Sequence, residues 1–143
     1  MPLTVTRELS ITCRLRREPA QVSHARRQIC TTLPSWGLDE HTDLASLIVS
    51  ELVTNALRYG DGLIEVRLSY MRGDLLIEVH DDGEGRPVRQ QAAPDDERGR
   101  GLELLDGLIA LHGGMRGVID HDGEPGKTVY VAIALPDSPA GGR

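Results

Sequence analysis

A carboxylate and an amide stand four residues apart in the middle of the chain, where the sequence reads ELVTNALRYG from Glu51. On a helix, Glu51 and Asn55 lie one above the other, and they share a stripe with Leu44, Leu47 and Ile48. Burying an acid and an amide costs free energy unless they have hydrogen-bond or charge partners. Polar residues that interrupt an apolar pattern in this way occur mainly at functional sites. A carboxylate able to accept a proton, one turn from an amide able to bind an ion, is a workable start for a catalytic centre.

The remaining elements must position this helix. A second apolar stripe (Ala45, Val49, Leu52 and Ala56) predicts that the helix, from about Glu40 to Tyr59, is buried over most of its surface. Two further helices are predicted, from Pro19 to about Leu33 and from Leu102 to about His112. Alternating or continuous apolar residues predict five strands, at 8–15, 63–70, 75–80, 115–120 and 128–135. The polar residues 86–98 are predicted to form a mobile loop.

The order of these elements predicts the fold class. Strand, helix, helix, hairpin, loop, helix and hairpin do not alternate as in a Rossmann fold. They favour an α+β protein, a two-layer α/β sandwich with helices on one face of a mixed, mostly antiparallel sheet. We expect one domain over residues 8–136 and a flexible tail over 137–143.

Composition restricts the partners and the compartment. A net charge of −6 and a pI near 5.3 argue against nucleic acid as the main ligand. No apolar run approaches the roughly 18 residues of a membrane span, and the N-terminus lacks the pattern of a signal peptide, so we expect a cytoplasmic protein. The two cysteines, Cys13 and Cys30, are expected to stay reduced. The arginines at 16–17 and 26–27 form either a basic patch for a partner or a solvated helix face.

Three glycine-bearing segments stand at joints between predicted elements: DDGEG at 81–85, GRGL at 99–102 and GKT at 126–128. Glycine lets a backbone approach a ligand closely, and a glycine turn that leads into a helix directs free N–H groups at an anion. Neither the Walker P-loop nor the dinucleotide fingerprint is present. Each segment alone is an ordinary turn, so only their combination is informative.

Together and in this order, ELVTNALRYG, DDGEG, GRGL and GKT resemble the N box and three G boxes of the GHKL ATP-binding superfamily, over about residues 10–135. That family includes sensor histidine kinases, gyrase, Hsp90, MutL and the serine kinases that act as anti-sigma factors. The spellings ELVTNA and GRGLELL are most similar to the anti-sigma factor kinases and their actinobacterial regulatory relatives. The resemblance implies the Bergerat fold and the binding of ATP with Mg²⁺.

The resemblance also implies roles for individual residues at the base and the metal. Asn55 would hold Mg²⁺ against the triphosphate, since an amide oxygen with phosphates and waters suits this ion. Asp81 would accept the adenine amino group, and Gly83 and Gly85 would let the base approach. Thr128 would support the adenine contact through water.

A second group of residues is implied around the phosphates. Arg58 matches a basic phosphate contact, and Tyr59 matches a ring placed against adenine. The lid and helix start would reach the β- and γ-phosphates through Gly99, Arg100, Gly101 and Leu102. Arg98 is a candidate clamp on the γ-phosphate. Solvated loop charges are an equally open interpretation of both Arg98 and Arg100.

Glu51 matters most for the implied mechanism. In the branches of the family that hydrolyse ATP or phosphorylate serine, the acid one turn before the Mg²⁺ asparagine is the general base. The alternative is that Glu51 only orients Asn55 or water.

Three functions are compatible with these residues. The resemblance favours an anti-sigma factor and serine/threonine-protein kinase that sequesters a sigma factor and phosphorylates a small STAS-type antagonist, with a homodimer as a further expectation. An ATP-gated binding module and a slow ATPase stay open as alternatives. If the chain is not an excised domain, its length argues against a sensor histidine kinase, gyrase, MutL or Hsp90, which need additional domains.

Overall fold

The computed structural model describes residues 8–59, 61–83, 97–120 and 126–135, with the backbone alone for Tyr59, 97–102 and Asp120. Within these ranges the chain forms the following elements: β1 (Leu9–Leu15), α1 (Gln21–Ser35), α2 (Thr42–Tyr59), β2 (Ile64–Met71), β3 (Asp74–Asp81), α3 (Glu97–Leu111), β4 (Met115–Asp120) and β5 (Lys127–Ala134). A short 3₁₀ turn, Asp39–His41, precedes α2. The predicted element order is confirmed.

The five strands form one sheet in the order β1-β2-β3-β5-β4, and every pairing in it is antiparallel. One row of paired residues crosses all five strands at one end of the sheet: Leu15, Ile64, Asp81, Lys127 and Asp120. We call this the Asp81 end. It brings together the end of β3, the start of β5 and the turn that leads from α2 into β2.

One face of the sheet carries the core. Alternation along the strands turns residues such as Leu68, Ile77 and Val131 towards α1 and α2, where they are fully buried. The opposite face presents more polar side chains, among them Glu65, Arg67 and Glu78, and no described helix packs on it. The predicted two-layer α+β sandwich, with helices on one face of the sheet, is therefore confirmed.

Helix α2 is buried or half-buried over most of its surface. The core side includes the whole second stripe and also Ile48, which is fully buried. On the first stripe, however, Leu47 is 41% exposed, and Glu51 and Asn55 are half-buried. The prediction of burial over most of the surface is confirmed, because α1, α3 and the sheet all contact α2, and only Asp43, Leu47 and Arg58 are exposed among its described side chains. Glu51 and Asn55 lie at the edge of this enclosure. Glu51 and Asn55 are thereby accessible to a ligand.

Two helix boundaries also differ from prediction. Helix α3 begins at Glu97, so GRGL lies inside the helix and not before it. Glycine can adopt helical dihedrals at a cost of about 1 kcal/mol, and the Glu and Arg residues beside it are good helix formers. Helix α1 continues through Pro34 to Ser35, since a proline in the last turn removes only one backbone hydrogen bond.

Several predictions fall outside the described ranges. They concern Gly85, residues 86–96 of the loop predicted over 86–98, and the tail at 137–143. The loop prediction is wrong at residues 97 and 98, which belong to α3. The domain limits at 8 and 136 stay a prediction. No helix in the described part of the chain is long and apolar enough to cross a membrane. Cys13 and Cys30 are both free thiols, and burial raises the pKa of Cys13.

Arg17 belongs neither to a basic patch nor to a solvated helix face. Its guanidinium donates hydrogen bonds to the carbonyl oxygens of Ala56 at 2.8 Å, Leu57 at 2.6 Å and Gly62 at 3.5 Å. The last carbonyls of a helix have no partner within the helix, and a cation there is favoured by the helix dipole. Arg17 thus ties β1 and its following turn to the C-terminal end of α2.

Replacing Arg17 with Met is expected to lower the free energy of unfolding by about 1–3 kcal/mol, because charged hydrogen bonds to part-buried carbonyls are lost. Urea unfolding followed by circular dichroism measures the change. The matched control is Arg16→Met, since Arg16 is exposed. Equal stability of the two variants would contradict the capping role.

An ion pair joins α3 to β4. The Arg116 guanidinium donates from Nε and Nη2 to the two carboxylate oxygens of Asp106, at 2.7 and 2.9 Å. The hydrogen bond from Arg116 holds the pKa of Asp106 below its ordinary value, and the same bond raises the pKa of Arg116. The pair joins the middle of α3 to β4.

Because the pKa of Asp106 is lower in the folded protein than in the unfolded chain, the stabilisation is present above the unfolded pKa and is lost as pH falls through the folded pKa. Asp106→Asn is expected to cost at most about 1 kcal/mol at neutral pH, since the Asp106 side chain is 49% exposed. The difference from the parent protein should vanish on acidification. Urea unfolding at several pH values measures it, with Glu103→Gln, an exposed residue on the same helix, as control. A pH-independent difference would refute the assignment.

Candidate functional site

Asp81 is the best-defined polar group of the site. It ends β3 and is only 1% exposed. Its Oδ1 accepts a hydrogen bond from the backbone N–H of Gly83 at 2.8 Å. Lys127 Nζ lies 3.0 Å from Oδ2 and 3.4 Å from Oδ1. A carboxylate offers about four lone-pair positions, so Asp81 is held in a fixed orientation and can still accept a hydrogen bond from a ligand.

Backbone segments converge closely around Asp81, and two glycines permit this. A Cβ on Gly83 would lie 2.7 Å from the backbone nitrogen of Asp61 and 3.0 Å from Asp81 Oδ1. Gly126 has a φ of +116°, and a Cβ there would lie 2.8 Å from the Asp81 carbonyl oxygen. The Asp82 backbone N–H donates to the Asp61 carbonyl at 3.0 Å. The packing of the protein itself therefore requires glycine at position 83, and the approach of the base over Gly83 stays a prediction.

Gly83→Ala is expected to lower the free energy of unfolding by about 1–3 kcal/mol, because the added methyl group overlaps backbone and displaces the Asp81 carboxylate. The matched control is Gly107→Ala on α3, where a Cβ meets nothing within 4 Å. That change should be neutral or stabilising by up to about 1 kcal/mol. Thermal unfolding of both variants measures the difference, and equal effects would contradict the packing described.

Glu51 and Asn55 lie one turn apart on α2, as predicted. Both are half-buried. Across the described ranges neither side chain has a hydrogen-bond or ion-pair partner in the protein. Arg58 is exposed near the end of α2, and Tyr59 is its last residue. At the margin of the core, both side chains keep hydrogen-bonding capacity that water or a ligand can use.

The first turn of α3 is directed towards the Asp81 end. Helix α3 ends where β4 begins, at the opposite end of the sheet, and it lies alongside β4. Arg98, Gly99 and Arg100 lie in this first turn, and Gly101 and Leu102 follow in the second. Because the helix begins at Glu97, the four N–H groups without intrahelical partners belong to about residues 97–100 and not to the residues after 101. They retain the anion-binding character predicted for GRGL.

Thr128 does not reach Asp81. The register pairs Asp81 with Lys127 and His80 with Thr128, and neighbouring residues of a strand point to opposite faces. Thr128 Oγ1 lies 3.1 Å from His80 Nδ1, on the face away from the helices. Lys127 is therefore the residue beside Asp81, and support of the adenine contact by Thr128 through water stays a prediction.

Sequence reasoning missed Lys127 as a site residue. It is the only lysine in the chain and it directly follows Gly126. These two features are the sequence signal that could have indicated it. Choosing between residues 127 and 128 requires the register of β5 against β3, because a shift of one residue exchanges the two faces.

The donor set fits a magnesium ion only in a limited way. The described residues contain no group of three or more His, Cys, Asp or Glu side chains that could hold a metal. The Asn55 amide oxygen is a suitable ligand for Mg²⁺, which commonly keeps several waters and binds substrate phosphates. A Mg²⁺ ion at Asn55 would therefore take its other ligands from phosphate and water.

The family model for histidine kinase-, DNA gyrase B- and HSP90-like ATPases matches residues 40–139. The chain belongs to this family. This confirms the predicted GHKL superfamily, and membership implies an ATP-binding domain of the kinase and ATPase type. Helix α2, β3 with Asp81, β5 with Lys127 and α3 all lie inside the matched range.

Two kinds of relative agree with this assignment. The alginate biosynthesis sensor protein KinB of Pseudomonas aeruginosa is 35% identical over 100 residues, which cover 62% of this chain and 17% of that protein. The histidine kinase domain of the Erythrobacter litoralis EL346 blue-light activated histidine kinase has a TM-score of 0.53 at 24% identity, covering 82% of this chain and 60% of that one. The latter supports the GHKL fold.

A second solved structure is also similar, the histidine kinase domain of the E. coli osmosensor EnvZ. Its TM-score is 0.47 at 22% identity, and the match covers 68% of this chain and 67% of that one. All three relatives are named as sensors or histidine kinases. They do not address a serine substrate or a sigma-factor partner.

Proposed function

We propose that this member of the GHKL family is a cytoplasmic serine/threonine-protein kinase that uses ATP and Mg²⁺ and acts as an anti-sigma factor. The observation that supports kinase activity is the pair of Glu51 and Asn55, half-buried and unpartnered within the described ranges, on the helix that leads to the Asp81 end. The proposed partners are a STAS-type antagonist, which receives the phosphate, and a sigma factor, which is sequestered. Both partners derive from the motif resemblance.

Each residue has a defined task in this proposal. Asp81, oriented by Lys127 and by the Gly83 N–H, accepts a hydrogen bond from the adenine amino group. Asn55 would hold Mg²⁺, which when bound neutralises charge on the triphosphate. The first turn of α3 offers backbone N–H groups to the terminal phosphates.

Glu51 would act as the general base. The seryl oxygen forms a bond to the γ-phosphorus while the bond from that phosphorus to the β–γ bridging oxygen breaks, and ADP leaves. The seryl proton passes to Glu51. A hydroxyl must lose its proton in this reaction, whereas a neutral imidazole nitrogen attacks through a lone pair. A carboxylate one turn from the Mg²⁺ ligand therefore favours a hydroxyl acceptor.

The phosphoryl linkage tests this proposal. The protein is incubated with ATP labelled at the γ-phosphate and a lysate of its source organism, and the labelled proteins are then exposed to acid and to alkali. Phosphoserine and phosphothreonine survive acid, whereas phosphohistidine survives alkali and is lost in acid. We expect acid-stable label on a small protein. Acid-labile label would overturn the proposal in favour of histidine phosphorylation.

Two further outcomes would replace the proposal with one of the alternative functions. Tight ATP binding without any transferred label would indicate an ATP-gated binding module. Release of inorganic phosphate without a partner would indicate a slow ATPase. Repeating the assay with and without the partner therefore distinguishes the binding module from the slow ATPase.

A further inference from the structure

The ion pair between Lys127 and Asp81 is buried at the point where the base is proposed to bind. The Lys127 side chain is 5% exposed and that of Asp81 is 1% exposed, with Nζ 3.0 Å from Oδ2. The two residues are direct cross-strand partners on β5 and β3 and face the helix side of the sheet. The resemblance implies a role for Asp81 but none for Lys127 or for the pair.

Stability alone does not account for such a pair. Removing two charges from water costs several kcal/mol, and replacing a buried ion pair with apolar residues is often neutral or stabilising. Binding sites fix the orientation of a ligand with a small number of precisely placed polar groups, and this buried acceptor and donor can serve in that way.

The chemistry of the pair matches one edge of adenine. A carboxylate only accepts hydrogen bonds, and an ammonium only donates them. Adenine presents a donor, the amino group at C6, directly beside an acceptor, the ring nitrogen N1. A side-by-side acceptor and donor on the protein is complementary to that arrangement, and because Asp81 is fixed by Gly83, the pair is already oriented.

We propose that Lys127 donates a hydrogen bond to adenine N1 while Asp81 accepts one from the amino group, so that the pair reads the base edge directly. Lys127 is then a specificity-determining residue of the site. This inference rests on the proposed binding of ATP. Lys127 would bind the base, and it would have no part in the transfer of the phosphate.

The test compares ATP with 1-deaza-ATP, which has a C–H in place of N1 and keeps the amino group. Calorimetric titration of the parent protein should show ATP bound about 10- to 100-fold more tightly, the ratio expected for one charge-assisted hydrogen bond. Lys127→Met should reduce this ratio to about 1. Arg14→Met, which removes an exposed cation on β1, should keep the ratio of the parent protein.

The outcomes separate this inference from the proposed function. ATP and 1-deaza-ATP bound equally by the parent protein would overturn the role of Lys127 and leave ATP binding intact. Failure to bind either nucleotide would overturn the proposed function and the inference with it. Tighter ATP binding by Lys127→Met would show that Lys127 occludes the base site, which also overturns the inference.

Two additional measurements keep the test decisive. If Lys127→Met does not fold, the Asp81→Asn/Lys127→Met double variant removes both charges together and avoids an uncompensated buried carboxylate. The nucleotide ratio of that variant should also be about 1. Titration with GTP tests the selectivity for the base. If GTP bound as tightly as ATP, this would contradict the recognition of adenine by the pair.

Discussion

Glu51→Gln is expected to lower the rate of phosphate transfer by about 100- to 10,000-fold, the usual contribution of a general base. Glutamine keeps the shape of the side chain but does not accept the proton of the attacking hydroxyl. The affinity for ATP should be unchanged, because the proposed role of Glu51 begins only when the hydroxyl attacks. Transfer of label to the partner measures the rate, and calorimetry measures the affinity in parallel.

The control for this prediction is Glu40→Gln, which removes an exposed carboxylate just before α2. It should transfer phosphate at the parent rate. If Glu51→Gln lowered ATP affinity and transfer by the same factor, Glu51 would act in binding, as expected for a residue that orients Asn55. Full activity of Glu51→Gln would exclude Glu51 as the base.

Asn55→Ala is expected to weaken the binding of ATP in the presence of Mg²⁺ by about 100-fold, a loss at the upper end of that seen for groups that support a bound metal. Binding measured with a chelator should change little, because the Asn55 amide acts through the ion. Since Asn55 has no partner among the described residues, its loss should leave the fold intact. Calorimetry with and without Mg²⁺ gives all four affinities.

Thr54→Ala is the matched control, since Thr54 is the half-buried neighbour on the same helix. It should retain the dependence on Mg²⁺. An equal loss of affinity in Asn55→Ala with and without Mg²⁺ would show that the amide contacts the nucleotide directly, and an unchanged affinity would remove Asn55 from the site.

Local pattern was sufficient for the elements and for the fold class. The period of the α2 stripe, the alternation of β2 and β3 and the glycines between elements identify each helix and strand without tertiary information. The ends of the helices and strands are harder to predict, because they depend on competition between the weak conformational preferences of neighbouring residues. Helix α3 includes two glycines near its start. Whether the helix extends through them depends on the summed preferences of the good helix formers around them, and not on any single residue.

The composition of the site depended on tertiary pairing that no local pattern contains. The motif predicted Asp81 correctly as the end of a strand, but the residue opposite Asp81 is determined by the register of β5, and a shift of one residue replaces Thr128 by Lys127. Arg17 is a similar case. Its task at the end of α2 is set by residues about 40 positions away, so sequence spacing near Arg17 gave no indication of it.

The most direct test of the nucleotide site is a calorimetric titration of the parent protein and of Asp81→Asn with ATP in the presence of Mg²⁺. Asparagine keeps the size of the side chain and can still accept a hydrogen bond from Lys127, but it leaves the buried ammonium without its counter-charge. Circular dichroism of Asp81→Asn therefore accompanies the titration, and the Asp81→Asn/Lys127→Met double variant replaces it if it does not fold. We expect the parent protein to bind ATP and Asp81→Asn to bind it at least about tenfold more weakly, as one charged hydrogen bond is weakened. Equal affinities, or no binding by the parent protein, would contradict an ATP site at the Asp81 end.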